Sequence, residues 1–320
     1  MNLEQLIGRL KKTPSFMENV THWETIPAKE ASFAPFPAEL DNRLPPVLAQ
    51  RGVYKLYSHQ REAFDLAATG KDICVVTPTA SGKTMCYNLP VLNAILKNND
   101  ARALYLFPTK ALSADQVSEL YELIEAMDVD VKTFTYDGDT PAAARRQVRQ
   151  AGHIVLTNPG MLHARILPHH TKWVKLFGNR KYVVIDEIHA YRGVFGSNLA
   201  NVIRRLTRLC RFYGSDPQFI CCSATIANPG ELASTLIGRP VEVIDKSGAA
   251  SGEKHIVFYN PPVVNKQLGV RKSVLQETLR ISSMLVDNDI STIVFGKSRL
   301  TVEVLTRHLK ERVKDPFGPR

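Results

Sequence analysis

The sequence predicts an α/β protein built on a doubly wound parallel sheet, and three observations predict it. Short runs that are apolar throughout recur from residue 53 onward, at 73–76, 103–107, 131–136, 153–156, 182–185, 219–222 and 241–244. Runs without polar alternation suit strands buried on both faces of a parallel sheet. The segments between them, such as 110–126 and 198–213, carry the 3.6-residue period of amphipathic helices. Finally, polar clusters directly follow several of the runs, at the carboxyl ends of strands, where open α/β sheets gather their ligands.

In chain order, apolar residues at positions 3, 6, 7 and 10 space as an amphipathic helix, not as the continuous core of a signal peptide. The remainder of residues 1–52 is rich in proline and aromatics, including Trp23, Phe33, Phe36, Pro37, Pro45 and Pro46. Proline-rich chain forms neither long helices nor central strands, so 1–52 is expected to be an N-terminal extension packed on a larger body.

The run at 73–76 leads into Thr77, Pro78, Thr79, Ala80, Ser81, Gly82, Lys83 and Thr84. This meets the phosphate-loop pattern G-x-x-x-x-G-K-[ST] except at its first position, where Thr77 stands. Backbone N–H groups of such a loop and the positive end of the following helix point at nucleotide phosphates. Lys83 is expected to reach the β and γ phosphates, and Thr84 to place its hydroxyl on Mg²⁺.

Asp186, Glu187 and His189 follow the run at 182–185. An Asp ending a buried strand beside a phosphate loop suits a Mg²⁺ partner, so Asp186 takes that role. Glu187 is expected to orient and deprotonate the attacking water. Ser223 and Thr225, after the run at 219–222, are expected either to hydrogen-bond His189 or Glu187 or to cap the next helix.

Residues 245–254 are small and polar with two glycines and read as an interdomain linker. Beyond it the order resumes with a strand at 255–259, a helix over about 271–287, a strand at 292–295 and a helix over about 298–313. Too few residues remain to complete a second doubly wound sheet.

Composition bounds the partners. A net charge of +10 and a pI near 9.4 indicate a polyanionic partner, nucleic acid or an acidic membrane surface. Cys74, Cys86, Cys210, Cys221 and Cys222 are scattered and lack Cys-x-x-Cys spacing, as in the core of a reduced cytoplasmic protein without zinc. No stretch approaches the roughly 20 apolar residues of a bilayer span. On the 198–213 helix, Leu199, Val202, Ile203, Leu206 and Cys210 share one face, and Arg204, Arg205, Arg208 and Arg211 the other. That stripe, like Arg145, Arg146 and Arg149, reads as a solvated face or a track for phosphates.

Residues 57–60, 77–84, 107–112, 157–162, 186–189, 223–225 and 293–299 resemble, in that order, the motifs of superfamily two DExH (DEAD/DEAH) helicases, and 184–198 resembles the DNA helicases of the mitomycin repair factor type. The resemblance implies a RecA-like P-loop NTPase lobe over 53–250 and the start of a second RecA-like lobe over 251–320. It implies that ATP binds with Mg²⁺ on Thr84 and Asp186, cradled by residues 79–84 (Thr79, Ala80, Ser81, Gly82, Lys83 and Thr84). Gln60 would read the adenine edge with Tyr57 supporting the base. It implies Thr109, Lys110, Thr157 and Asn158 on one lobe, and Phe295, Ser298 and Arg299 on the other, as contacts to single-stranded or partly duplex DNA, with RNA an alternative. Ser223 and Thr225 would couple nucleotide state to the sheet.

The residues themselves leave other roles open, with Thr109 and Thr157 as helix caps, Lys110 as a surface charge and Phe295 as core. The family's later motifs, including an arginine finger, have no counterpart here, so the chain is expected to be truncated. The function expected is an ATP-dependent DNA helicase or translocase acting in DNA repair. The alternatives are an ATP- and nucleic-acid-binding module without efficient turnover, and a double-strand translocase that does not unwind.

Overall fold

The computed structural model describes residues 1–312, excluding the side chains of residues 110–113, 115 and 312. Contacts divide the chain into two units, Lys29–Ser251 and a second formed by Met1–Ala28 with the chain from Gly252.

The larger unit is the expected parallel sheet. Its strands are β1 (Ile73–Val75), β2 (Arg102–Leu106), β3 (Thr133–Thr135), β4 (Ile154–Thr157), β5 (Arg180–Ile185), β6 (Gln218–Cys222) and β7 (Glu242–Ile244). They lie in the order β7-β1-β6-β5-β2-β4-β3, every pair parallel. Its longer helices are α1 (Ser58–Ala68), α2 (Lys83–Lys97), α3 (Lys110–Ala126), α4 (Ala142–Ala151), α5 (Gly193–Phe212) and α6 (Pro229–Ile237).

Successive strand residues point to opposite faces, which explains why the runs are apolar throughout. Ile73, Val75, Tyr105, Val184 and Ile220 pack on one face, with Phe64 of α1 and Tyr87 and Leu92 of α2. Cys74, Leu104, Val183, Ile185 and Phe219 pack on the other, with Leu199, Ile203 and Leu206 of α5 and with Trp173. All five cysteines are buried and unpaired, and burial raises the Cys74 thiol to about 12.

Three expectations change. Residues 29–52 belong to the larger unit, not to an extension, because Leu44, Val47 and Leu48 on the helix Leu44–Gln50 are buried in its core. The supposed linker is anchored through residue 251. Gly248 donates its N–H to His59 Nδ1 at 3.1 Å, and Ser32 donates to Gly248 O at 2.8 Å. A Cβ on Gly248 would lie 2.3 Å from Ser58 Oγ, so only glycine allows this approach.

The third change lies in the smaller unit. Lys254–Tyr259 pairs antiparallel with Val20–Ile26, and its alternating exposure is that of a ribbon rather than a buried parallel strand. The helices Val274–Val286 and Arg299–Arg312 form as expected, but the strand expected at 292–295 does not form. The N-terminal helix Leu3–Lys11 also forms, closed by a reciprocal cap between Asn2 and Gln5. No helix among the described residues is long and apolar enough to cross a membrane.

Candidate functional site

The loop at 77–84 runs from β1 into α2. Gly82 precedes the helix with φ +78°, and Ala80 also has positive φ, at 61°. Thr77 explains its departure from the glycine pattern: its side chain is fully buried and shares a 2.6 Å hydrogen bond with Ser81 Oγ, pinning the loop across its base. Lys83 folds back over the loop, its Nζ donating to Thr77 O at 2.8 Å and Pro78 O at 3.2 Å. The ammonium thus occupies the mouth of the cradle, held by carbonyls that a phosphate oxygen can replace.

Gln60 braces this loop. Its Nε2 donates to Gly82 O at 3.0 Å and its Oε1 accepts from Tyr57 N at 3.0 Å, so both ends of the amide contact backbone. Tyr57 lies between Phe33, at 5.2 Å and 19° between planes, and His59, at 5.9 Å and 12°. Sequence reasoning missed Phe33 and His59. Phe33 is brought in by a short antiparallel pairing of Phe33–Ala34 with Leu56–Tyr57, for which local sequence carries no signal.

Asp186 and Glu187 leave the end of β5. Burial, then the neighbouring Glu187 charge, pushes the Asp186 carboxyl up to about 6, against the opposing pull of Glu187 N–H, Lys83 and Tyr87. Tyr87 was not anticipated: its phenol donates to Gln116 Oε1 at 2.8 Å, stands 3.4 Å from Asp186 Oδ2 and is a hydrogen-bond neighbour of Thr84. Tyr87 thus joins Thr84 to Asp186, and Lys83 lies near enough for its charge to act on that carboxyl.

This set suits Mg²⁺. It offers oxygen donors, one of them a half-buried carboxylate whose charge a cation would relieve. Mg²⁺ characteristically takes one or two protein ligands and completes its shell with phosphate and water.

Glu187 sits in the left-handed region, φ 53° and ψ 45°, a conformation costing a non-glycine residue about 1–3 kcal/mol. That turn sets its carboxylate 3.0 Å from His189 Nδ1, which is also 3.2 Å from Ala224 N. The two contacts need different protonation of Nδ1. A bare nitrogen accepts from Ala224, and a protonated one donates to Glu187. The bridge between β5 and β6 thus uses the Ala224 backbone, not the hydroxyls expected: Ser223 Oγ is buried without a partner among the described residues, and Thr225 is exposed.

The strand-contact candidates divide. Thr157 is 3% exposed and donates to Tyr136 O at 2.6 Å, so its hydroxyl braces β4 against the chain after β3 and does not face the surface. Asn158 caps the turn Pro159–Met161, accepting from Met161 N at 2.9 Å. Thr109 is exposed at the start of α3, and the Lys110 side chain lies outside the described residues. In the smaller unit Phe295 is 90% exposed, which removes a core role. Ser298 Oγ accepts from Thr301 N at 3.2 Å, and Arg299 is exposed. On α5, Arg204 pairs with Asn201 and Arg211 with Asp216. Arg145 is turned back onto Thr140 O.

Residues 57–232 match the DEAD/DEAH box helicase family. The chain is 56% identical over 319 residues to the uncharacterized ATP-dependent helicase YprA of Bacillus subtilis, covering all of this chain and 42% of that protein. It is 36% identical to the ATP-dependent helicase HRQ1 of Saccharomyces cerevisiae, over 96% of this chain and 29% of the relative. Among solved structures it resembles the DUF1998 helicase MrfA bound to DNA, with TM-score 0.94 and 56% identity over 97% of this chain and 41% of that one. The same helicase bound to DNA and AMPPNP superposes with TM-score 0.93, over 97% of this chain and 43% of that one, again at 56% identity. The chain thus spans less than half the length of these relatives.

Proposed function

Because the chain belongs to the DEAD/DEAH box helicase family, we propose that it carries the ATP-binding RecA-like lobe of an ATP-dependent DNA helicase or translocase, with the first part of the second lobe. The observation that carries this reading is the convergence of Lys83, Thr84, Asp186 and Glu187 at the carboxyl ends of β1 and β5. Thr84 and Asp186 hold Mg²⁺, which when bound neutralises charge on the β and γ phosphates. Lys83 exchanges the Thr77 and Pro78 carbonyls for phosphate oxygens. Glu187 accepts the proton of the attacking water, and His189 Nδ1 meets either that carboxylate or Ala224 N–H at the end of β6, according to its protonation. Tyr57 and Gln60 face the adenine and tie its occupancy to the loop through Gly82.

Single-stranded or partly duplex DNA is the proposed partner, and the solved MrfA structures it resembles are of that helicase bound to DNA. Thr109, Lys110 and Asn158 contact its backbone from the larger unit, Phe295, Ser298 and Arg299 from the smaller, and Thr157 braces β4 next to Asn158. Such contacts are insensitive to base sequence and weaken with salt. The five buried thiols suit a reducing, cytoplasmic location. The test is steady-state ATP hydrolysis by the 320-residue chain, with and without single-stranded DNA, beside Lys83→Ala. DNA-stimulated, Lys83-dependent turnover supports the enzyme reading. Binding of both ligands without turnover supports the second reading, an ATP- and nucleic-acid-binding module.

A further inference from the structure

A cavity of about 370 Å³ opens between residues 159–163 and the first three turns of α5. Phe195 forms one wall. Its ring is 50% exposed and its inner side lies against Tyr191, with centroids 5.3 Å apart and planes tilted by 38°. The helix approaches Tyr191 closely because residue 196 is glycine: a Cβ there would sit 2.5 Å from Tyr191 O. Phe195 is therefore fixed from behind and open in front.

The floor is polar. Asn198, Asn201 and Arg205 follow Phe195 at spacings of three and four, which aligns them along one helical face. Arg205 Nη1 is 2.9 Å from His163 Nδ1, a neutral acceptor, so the guanidinium charge is not cancelled there. No carboxylate occurs among the described residues lining the cavity. His163 itself sits in a π-helical turn, Leu162–Ile166, a widened backbone frequent at functional sites. Pro159 and Gly160 complete the rim and directly follow Asn158, the proposed backbone contact.

We propose that this cavity takes one nucleobase of a single strand. The base lies flat on Phe195, the Asn198 and Asn201 amides meet its edge, and Arg205 meets the adjoining phosphate. An open aromatic face beside paired amides and an uncancelled guanidinium is complementary to a base and its phosphate. It is poorly matched to an aliphatic protein surface, which gives the charge nothing to meet. The proposal rests on the nucleic-acid reading above and adds a stacking contact to it.

The test is an anisotropy titration of labelled oligothymidine and of an abasic strand of the same length, with a fluorescent ATP analogue as the control for folding. A stacked base is worth about 5- to 150-fold in affinity. Phe195→Ala is expected to weaken oligothymidine binding by that factor, to leave the abasic strand unchanged, and to leave nucleotide binding unchanged. Phe195→Trp is expected to retain oligothymidine binding. Equal oligothymidine affinity for wild type and Phe195→Ala overturns the proposal and leaves the face to a protein partner. An equal loss on both strands also overturns it. A wild-type chain that binds neither strand removes the nucleic-acid reading, and this proposal with it, an outcome distinct from a strand-binding chain indifferent to Phe195.

Discussion

Gly82→Ala probes how the adenine-side motif is joined to the phosphate loop. Gly82 has φ +78°, where an alanine costs about 1 kcal/mol or more. The new methyl would also meet Gln60 Nε2 at 2.6 Å. Gln60 is 6% exposed and is held at both ends, so its amide must swing away and give up its bond to Gly82 O. Losing that bond adds about 1 kcal/mol, for a total of roughly 2 kcal/mol. Gln60→Ala alone should cost about 1–2 kcal/mol. In the double variant the methyl no longer meets an amide, so the two effects should fall short of their sum by about 1 kcal/mol. Trp173 is 1% exposed in the larger unit, and Trp23, the other tryptophan, is in the smaller. Urea unfolding followed by Trp173 fluorescence in a Trp23→Phe background therefore reports on the larger unit. A cost for Gly82→Ala below about 0.5 kcal/mol, or strict additivity, would refute the reasoning.

Other perturbations separate the parts of the site. Lys83→Ala should weaken binding of a fluorescent ATP analogue by about 10- to 150-fold, from loss of a charge-assisted contact, while leaving the urea midpoint near wild type because, among the described residues, Lys83 hydrogen-bonds to loop carbonyls. Unchanged affinity would remove the phosphate-loop assignment. Glu187→Gln should bind nucleotide normally and slow hydrolysis by about 10²- to 10⁴-fold, and normal turnover would assign the general base elsewhere. Tyr191→Phe removes a buried hydroxyl that has no partner among the described residues, so it should leave stability unchanged or raise it by up to about 1 kcal/mol. A loss above 1 kcal/mol would show that the phenol has a partner in solution.

The parallel sheet was legible because a strand buried on both faces must be apolar at every position, a local signature that needs no knowledge of partners. The loop at 77–84 and the acids at 186–187 were legible for a related reason: their chemistry demands particular residue types immediately after a strand. What misled was segment membership. Residues 29–52 look irregular in sequence, yet Leu44 and Leu48 are completely buried in the sheet's core. Residues 245–251 look like a linker, yet Gly248 is fitted against Ser58 and His59. Small and polar composition reports low local propensity, and says nothing of whether a preformed surface offers hydrogen bonds at the right places.

The same division runs through the candidate site. Sequence alone determined which charged and oxygen-bearing side chains stand at the strand ends as candidates for a phosphate site, because Lys83, Thr84, Asp186 and Glu187 are bound to those ends by covalent order. Only the tertiary structure decided the supporting contacts: Thr77 with Ser81, Gln60 with Gly82, Tyr87 between Gln116 and Asp186, and Ala224, not a hydroxyl, with His189. It also turned Thr157 inward, where Tyr136 O takes its hydrogen bond. Most of these pairs join residues far apart in the chain, and each is selected by the need to satisfy a buried or crowded polar group. That need arises only once the sheet has assembled and water has been excluded, which is why no local pattern announces it.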